Sequence, residues 1–232
     1  MSLKKFRYII EYYDLKYPYI KYGVLLAIFL IFLFKDNIIL MLYKALAFLL
    51  AVILHEVAHG YCAKLFGDDT ASRYGRLTLN PFKHIDLQGL LLPFILIVLR
   101  SPIIIGSAKP VPINYYNLKP RKLGIFCVSL AGVLTNILLA FIALRVYRLG
   151  VQNPFIITLI MSNIALAAFN IIPIPPLDGS RVLHLFAPRE IKSILDSIER
   201  NPILSIGLLL LIIQSGLINR IYMLLIRVLL WN

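Results

Sequence analysis

Long apolar runs, separated by short polar stretches, are the main pattern along this chain. The runs cover residues 24–34, 38–54, 123–144, 155–172, 203–217 and 221–231. A helix of about 20 apolar residues crosses the hydrocarbon core of a bilayer, and several of these runs reach that length alone or with their flanks. The pattern predicts an all-α polytopic membrane protein with about five to six transmembrane helices.

The stretch 90–105 interrupts this pattern, because its apolar part is short and is broken by Pro93, Arg100 and Pro102. If it crossed the membrane, the basic residues between 109 and 122 would lie outside, whereas Lys and Arg are usually in excess in cytoplasmic loops. We therefore expect a re-entrant or surface-embedded segment here. Two short stretches, near 76–80 and 109–114, are possible edge strands.

Composition and charge agree with a membrane protein. The chain is 60% hydrophobic with a mean hydropathy of +0.84, whereas soluble domains are about half apolar. The net charge of +13 comes from Lys and Arg residues that flank the apolar runs and do not form one long stripe. We therefore expect a lipid bilayer as partner and no nucleic acid. Two widely spaced cysteines, Cys62 and Cys127, do not form a disulfide framework.

The sequence His55-Glu56-Val57-Ala58-His59 lies at the end of the second apolar run. Residues four apart lie on one face of a helix, so both imidazoles can reach one metal ion, and the adjacent glutamate can reach water bound there. Ionisable groups inside a membrane helix are costly and usually functional. The motif therefore predicts a Zn²⁺ site with His55 and His59 as ligands.

A catalytic zinc site uses three protein ligands and one open position, so another segment must supply the third ligand. The candidates are His84, His184, Asp86 and Asp178. Asp178 is favoured because it lies in "PIPPLDG", directly after an uncharged run. Prolines break a helix, and a broken helix at membrane depth is tolerated only where it is buried in protein or lines a wet cavity. The residues alone also allow an ordinary helix-ending turn with a solvated aspartate.

Three motifs in this order resemble the site-2 protease family of intramembrane zinc metalloproteases: "HEVAH" at 55–59, "AGVLTN" at 131–136 and "NIIPIPPLDG" at 170–179. The stretch at 106–114 looks like the compact branch of that family, which lacks a PDZ domain. The resemblance implies that His55, His59 and Asp178 bind zinc and that Glu56 is the catalytic base. It also implies hydrolysis of a peptide bond within or near a transmembrane segment of another protein, as in regulated intramembrane proteolysis.

Two asparagines, and one difference from the usual family sequence, also bear on this resemblance. It implies that Asn136 holds the substrate backbone or the developing oxyanion, although an amide at this depth also fits a hydrogen bond between helices. Asn170 either orients the proline turn or supports a metal ligand from behind. The family often has a proline after "HID", whereas Leu87 stands there in this chain, which puts the shape of that loop in doubt.

Charge placement predicts the topology. Lysines and one arginine precede the first run, so we expect a cytoplasmic N-terminus and a second helix that returns to the cytoplasm near Lys64. Glu56 lies roughly 12 Å before Lys64 along that helix, so the site is expected to open to the cytoplasm of a prokaryotic cell. The predicted parts are an interfacial segment and first membrane helix (1–37), a catalytic membrane core (38–187), and an amphipathic piece with further membrane helices (188–232).

A rival interpretation is a metal-binding membrane protein without protease activity, such as a zinc sensor or transporter. A transporter needs ionisable groups along a path through several helices. The runs 123–144 and 155–172 contain no charged residue, which favours the protease.

Overall fold

The computed structural model describes residues 38–84 and 109–231, together with Gly23 and Leu26. The chain divides into two compact units, residues 1–42 and 43–232, and every contact discussed below lies within the second. The two described stretches contain nine helices: α1 (Ile38–Leu65), α2 (Thr70–Arg73), α3 (Pro81–His84), α4 (Arg121–Arg148), α5 (Pro154–Asn170), α6 (Asp178–Phe186), α7 (Arg189–Arg200), α8 (Pro202–Gln214) and α9 (Leu217–Trp231).

Local sequence explains where several of these helices begin and end. Asn153 and Asn201 are the N-caps of α5 and α8, and each side chain accepts a hydrogen bond from a first-turn amide. A proline follows each cap at the position where a missing amide hydrogen costs least. Helix α4 ends with basic residues in its last turn, which suits the negative end of the helix dipole. Gly150, at φ +100°, then turns the chain.

Two described helices are long and apolar enough to cross a membrane: residues Leu42–Leu65 of α1 and all of α4. Helices α8 and α9, bent by 59° at their junction, together pass the same test, and α5 is a shorter apolar helix. The all-α prediction is therefore confirmed for the described residues, and the chain is an integral membrane protein. The predicted segment at 90–105 lies outside the described residues, as does the first membrane helix apart from Leu26.

The possible edge strands differ from the observed backbone. Neither 76–80 nor 109–114 forms a strand, and no other described residue does. Pro110 and Pro112 remove two amide donors from the second stretch. Two of its remaining amides bind side chains, since Val111 N donates to Glu56 and Asn114 N donates to Asp68, while Lys109 N donates to the backbone oxygen of His84. At Val111 and Asn114, side-chain oxygens therefore accept the hydrogen bonds that a neighbouring strand would otherwise accept.

Helix α4 is central, because it packs along both α5 and α6. A buried apolar cluster of Ala140, Leu144, Ile164 and Leu229 joins α4, α5 and α9. A second cluster, of Ala63, Leu118 and Val128, joins the end of α1 to the start of α4. These contacts set the rotation of α4, and so decide which of its residues face α1.

The proline-rich turn between α5 and α6 packs against helices α8 and α9. Ile172 and Leu177 are buried in it and pack against Ile212 and Ile218 of α8 and α9. A Cβ atom on Gly179 would overlap two carbonyl groups of the turn. It would collide with the carbonyl of Ile171 and lie 2.6 Å from Ile172 O. Only glycine lets the start of α6 come this close to the end of α5, and this approach positions the preceding residue, Asp178.

Candidate metal centre

Three side chains meet between α1 and the start of α6. His55 and His59 lie one turn apart on α1, and their Nε2 atoms are 3.1 Å apart. Asp178 Oδ2 lies 3.1 Å from His55 Nε2 and 3.2 Å from His59 Nε2. Both imidazoles are buried, at 6% exposure each. Among the described residues, these three form the one group of histidine, cysteine or acidic side chains with metal-binding spacing.

Hydrogen bonds on the far side of each ring fix which nitrogen carries the proton. His59 Nδ1 lies 2.6 Å from Val128 O, and a carbonyl oxygen can only accept, so Nδ1 must donate. His55 Nδ1 lies 2.7 Å from Asn136 Oδ1. The amide nitrogen of Asn136 faces two further oxygens, those of Ala51 and Asn163, which assigns its oxygen to His55. In the neutral form that binds metal, each ring therefore points its Nε2 lone pair at Asp178.

This arrangement fits a metal ion. With both rings neutral, two Nε2 lone pairs and a carboxylate oxygen that has no hydrogen-bond partner would repel one another at 3.1–3.2 Å, and a metal cation between them would turn this repulsion into attraction. Ligand bonds of about 2.0–2.2 Å in tetrahedral geometry place neighbouring ligand atoms about 3.3–3.6 Å apart, slightly farther than the distances here. The observed triangle therefore has nearly the size that tetrahedral Zn²⁺ requires.

One face of α4 supports both imidazoles. Val128, Gly132 and Asn136 follow one another at intervals of four residues, so they form a stripe along the helix. Val128 contributes its carbonyl to His59, and Asn136 contributes its side-chain oxygen to His55. Between them, a Cβ atom on Gly132 would overlap both rings. The stripe thus holds the rings by two hydrogen bonds and one close backbone contact, a typical second layer around a metal.

Glu56 is held by a hydrogen bond from the segment 109–114. Val111 N donates to Glu56 Oε2 over 2.8 Å. Gly60 lies under the same segment, since its missing Cβ would meet Val111 Cγ1 at 2.9 Å. The segment therefore rests on α1 one turn beyond Glu56 and fixes one of its two carboxylate oxygens.

Asp68 fastens this segment to the end of α1. Its carboxylate accepts from Asn114 N at 2.7 Å, Asn117 Nδ2 at 2.9 Å and the Thr70 hydroxyl at 2.5 Å. Burial alone would raise the pKa of Asp68, but the hydrogen bonds from Thr70, Asn117 and Asn114 outweigh it and lower the pKa below its ordinary value. The ionised carboxylate is thus what holds residues 114–117 in place.

Asp68→Asn is expected to destabilise the protein by about 2 kcal/mol at pH 7, because it replaces a charged acceptor of several hydrogen bonds. A lowered folded pKa means that this stabilisation is present above the unfolded pKa of about 3.9 and is lost as the pH falls below it. Thermal melting in detergent at several pH values measures both effects. Asp69→Asn is the matched control, since Asp69 is the exposed neighbour. Equal melting temperatures for both variants at pH 7 would contradict the prediction.

The other candidate ligands lie elsewhere. His84 is buried and donates from Nε2 to Thr78 O over 2.7 Å. His184 pairs with Asp196 of α7 at 3.1 Å, and Asp86 lies outside the described residues. Of the four candidates for a third ligand, Asp178 is the one that the structure places beside His55 and His59.

Three participants were not anticipated from the sequence. The Val128 carbonyl and the Val111 amide are backbone groups, for which side-chain identity carries no signal. Asn163 differs, because it is a fully buried amide in the apolar helix α5 and donates to Leu159 O. A polar residue at that depth in an apolar helix is itself a signal of a functional or interhelical role, although it carries no charge.

Comparison with known proteins identifies relatives. The family model "Peptidase family M50" matches residues 144–214. The candidate zinc metalloprotease YwhC of Bacillus subtilis is 38% identical over 169 residues, which is 66% of this chain and 73% of that protein. MJ0611 of Methanocaldococcus jannaschii, described likewise, is 32% identical over 164 residues, 68% of this chain and 78% of its own. Rip2 of Mycobacterium tuberculosis is 33% identical over 145 residues, 59% of this chain but only 54% of that protein.

Membrane-length helices, an H-E-x-x-H helix and the Asp178 carboxylate facing it as a third candidate ligand define a metalloprotease of the membrane. The chain belongs to peptidase family M50, since it covers most of YwhC and MJ0611 at this level of identity. No solved structure gives a significant match to the chain.

Proposed function

We propose that this protein is an intramembrane zinc metalloprotease, which hydrolyses a peptide bond within or near a transmembrane segment of another membrane protein. The observation that carries the proposal is the convergence of His55, His59 and Asp178 at 3.1–3.2 Å, with Glu56 on the same helix. The relatives described as zinc metalloproteases support the choice of metal.

In this proposal His55 and His59 bind Zn²⁺ through Nε2, and Asp178 binds it through Oδ2. When bound, zinc supplies a Lewis acid that polarises the peptide carbonyl and makes water easier to deprotonate. Glu56 takes the proton from the attacking water and later gives it to the leaving amine. The Val111 amide at 2.8 Å from Oε2 holds the carboxylate in one orientation while the proton moves.

Asn136 has a different place in the proposed chemistry from the other four residues. The predicted role in stabilising the oxyanion requires an amide hydrogen that points at the substrate. Both Nδ2 hydrogens have acceptors here, Ala51 O at 3.2 Å and Asn163 Oδ1 at 2.8 Å. We therefore propose that Asn136 acts through His55, and that any contact with the substrate requires this pair of bonds to rearrange.

The proposed substrate is a membrane-spanning segment that unwinds near the site. A helix in lipid has its carbonyl groups in hydrogen bonds, so a protease must receive the chain in an extended form. The segment 109–114 already lies against Glu56, and 76–80 is tied to it, since Arg76 donates to Lys109 O. We propose that one of these stretches pairs with the extended substrate by β-augmentation.

The proposed topology follows the charge pattern. The N-terminus and the end of α1 lie on the cytoplasmic side of a prokaryotic cell membrane, so water reaches the site from there. The proposal keeps five to six transmembrane helices, a re-entrant or surface-embedded 90–105 segment, and the division into 1–37, 38–187 and 188–232. The amphipathic helix α7, Arg189–Arg200, then lies at the membrane surface.

Removal of the metal is expected to stop the reaction. Protein purified in detergent should cleave a test substrate that carries one transmembrane segment. A zinc chelator should slow cleavage by at least about a hundredfold, since the metal supplies several kcal/mol of transition-state stabilisation. Added Zn²⁺ should restore the rate. Cleavage that persists after zinc removal would contradict the mechanism, and zinc binding without cleavage of any membrane substrate would favour the zinc sensor or transporter.

A further inference from the structure

A chain of buried hydrogen bonds leads away from His55 into helix α5. His55 Nδ1 donates to Asn136 Oδ1 over 2.7 Å, and Asn136 Nδ2 donates to Asn163 Oδ1 over 2.8 Å. Asn163 Nδ2 then donates to Leu159 O over 2.9 Å. Both asparagine side chains are completely buried, at 0% exposure. The chain therefore connects a candidate metal ligand on α1 to a backbone carbonyl of α5, through α4.

The Leu159 carbonyl, at the end of this series of hydrogen bonds, determines which atom donates in each of them. Leu159 O can only accept, so the amide nitrogen of Asn163 must face it, and the amide oxygen must face Asn136. That oxygen, together with Ala51 O, takes both hydrogens of the Asn136 amide. Only the Asn136 oxygen is left for His55, so His55 must donate from Nδ1 and keep Nε2 bare. A carbonyl on α5 thus selects the tautomer of a residue on α1.

A simpler alternative is that Asn163 only joins two helices. Hydrogen bonds between membrane helices contribute about 0.6 kcal/mol on average, so such a role would affect stability slightly and leave the metal unaffected. The position of Asn163 argues for more. Without its oxygen, one hydrogen of the buried Asn136 amide loses its acceptor, and only the longer bond to Ala51 O, at 3.2 Å, still opposes a turn of the amide nitrogen towards His55. A turned amide would offer His55 Nδ1 a donor and would disfavour the tautomer that binds metal through Nε2.

We infer that Asn163 is a positioning residue for the metal centre: it holds the Asn136 amide in the one orientation that leaves His55 Nε2 free to bind zinc. The inference rests on the proposed function, because it takes His55 as a zinc ligand. Asn163 belongs to none of the three motifs that suggested the site, although its helix ends at Asn170, where the third motif begins. Residues that hold a ligand from behind typically change metal affinity by about 10–100-fold when they are replaced.

The test measures metal binding, not only activity. Zinc affinity is determined by competition with a chromophoric chelator, and the visible spectrum of the Co²⁺-substituted protein reports the ligand geometry. Asn163→Leu should weaken zinc binding by about tenfold or more and alter the cobalt spectrum. Asn163→Asp keeps an oxygen for the Asn136 amide and, when its carboxyl group is protonated, an O–H for Leu159 O, so it should bind zinc more tightly than Asn163→Leu. Where Asn163→Leu does not fold, Asn163→Ala replaces it in the same measurements.

Thr158→Val is the matched control. Thr158 lies on the same helix, is buried, and donates to Pro154 O over 2.6 Å, but it is not part of the chain to His55. Its replacement should leave zinc affinity and the cobalt spectrum unchanged. Zinc binding by Asn163→Leu at the wild-type affinity, with an unchanged cobalt spectrum, would overturn the inference alone. A wild-type protein that binds no zinc would overturn the proposed function and, with it, this inference.

Discussion

Glu56→Gln is expected to abolish proteolysis while the protein still folds and binds zinc. The amide has the shape of the carboxylate and can still accept the bond from Val111 N, which reaches Oε2 over 2.8 Å in the wild type. It cannot take a proton from water or return one to the leaving amine. A positioned general base contributes about 10²–10⁴-fold to the rate, and both proton transfers are lost together. We expect a fall in kcat of about a thousandfold or more.

The measurement is cleavage of a transmembrane test substrate in detergent, with zinc content determined on the same sample. Glu190→Gln is the matched control, because it removes the same charge from an exposed position on α7. It should cleave at the wild-type rate. Wild-type cleavage by Glu56→Gln with zinc still bound would reject Glu56 as the base. Loss of zinc from Glu56→Gln would instead mean that the glutamate supports the metal site.

The candidate ligands were largely predictable because their geometry is local or their setting is unusual. The spacing of His55 and His59 needs only the helical repeat to place both rings on one face. Asp178 comes from a distant segment, so periodicity could not bring it to them. Its selection depended on the proline turn and on the family resemblance. The structure places it 3.1–3.2 Å from both rings, and its role as a ligand stays a prediction until metal binding is measured.

The surroundings of the ligands were not predictable to the same extent. Which residues of α4 face α1 depends on the rotation of α4, which is set by packing against α5 and α6. A small residue such as Gly132 permits close helix approach, but the sequence does not show that the approaching atoms are the imidazoles themselves. The Val128 carbonyl is a backbone group that any residue could have provided. Asn163 could have been found, had buried amides been weighed like charged residues.

The predicted strands show a different limit. The stretches 76–80 and 109–114 have residues that suit an extended backbone, but a strand also needs a partner. In the described residues, two amides of 109–114 donate to the side chains of Glu56 and Asp68, and the Lys109 amide donates to His84 O. A substrate could still supply the missing partner strand, which is how β-augmentation works. The structure of the free protein therefore tests whether these stretches pair with another strand of the chain, but not whether they pair with a substrate.

Gly132→Ala is expected to have the other large effect, the loss of the metal centre through a single methyl group. The added carbon would overlap His55 and His59 and would lie 2.6 Å from His55 Nδ1. The rings cannot retreat easily, because Val128 O and Asn136 hold them from the same helix. Overpacking of this kind costs about 1–3 kcal/mol, and here it falls on two ligands at once. We expect zinc affinity to drop by about a hundredfold or more, with proteolysis lost in proportion.

The matched control is Gly207→Ala on α8, where a Cβ atom would meet nothing within 4 Å. Alanine favours a helix over glycine by about 0.8–1 kcal/mol, so both variants gain the same intrinsic helix stability. Gly207→Ala should therefore melt at the wild-type temperature or slightly above it and keep its zinc. Any loss in Gly132→Ala must then come from the contact with the imidazoles. Chelator competition and cleavage at wild-type values for Gly132→Ala would show that α4 does not approach the rings as closely as this structure places it.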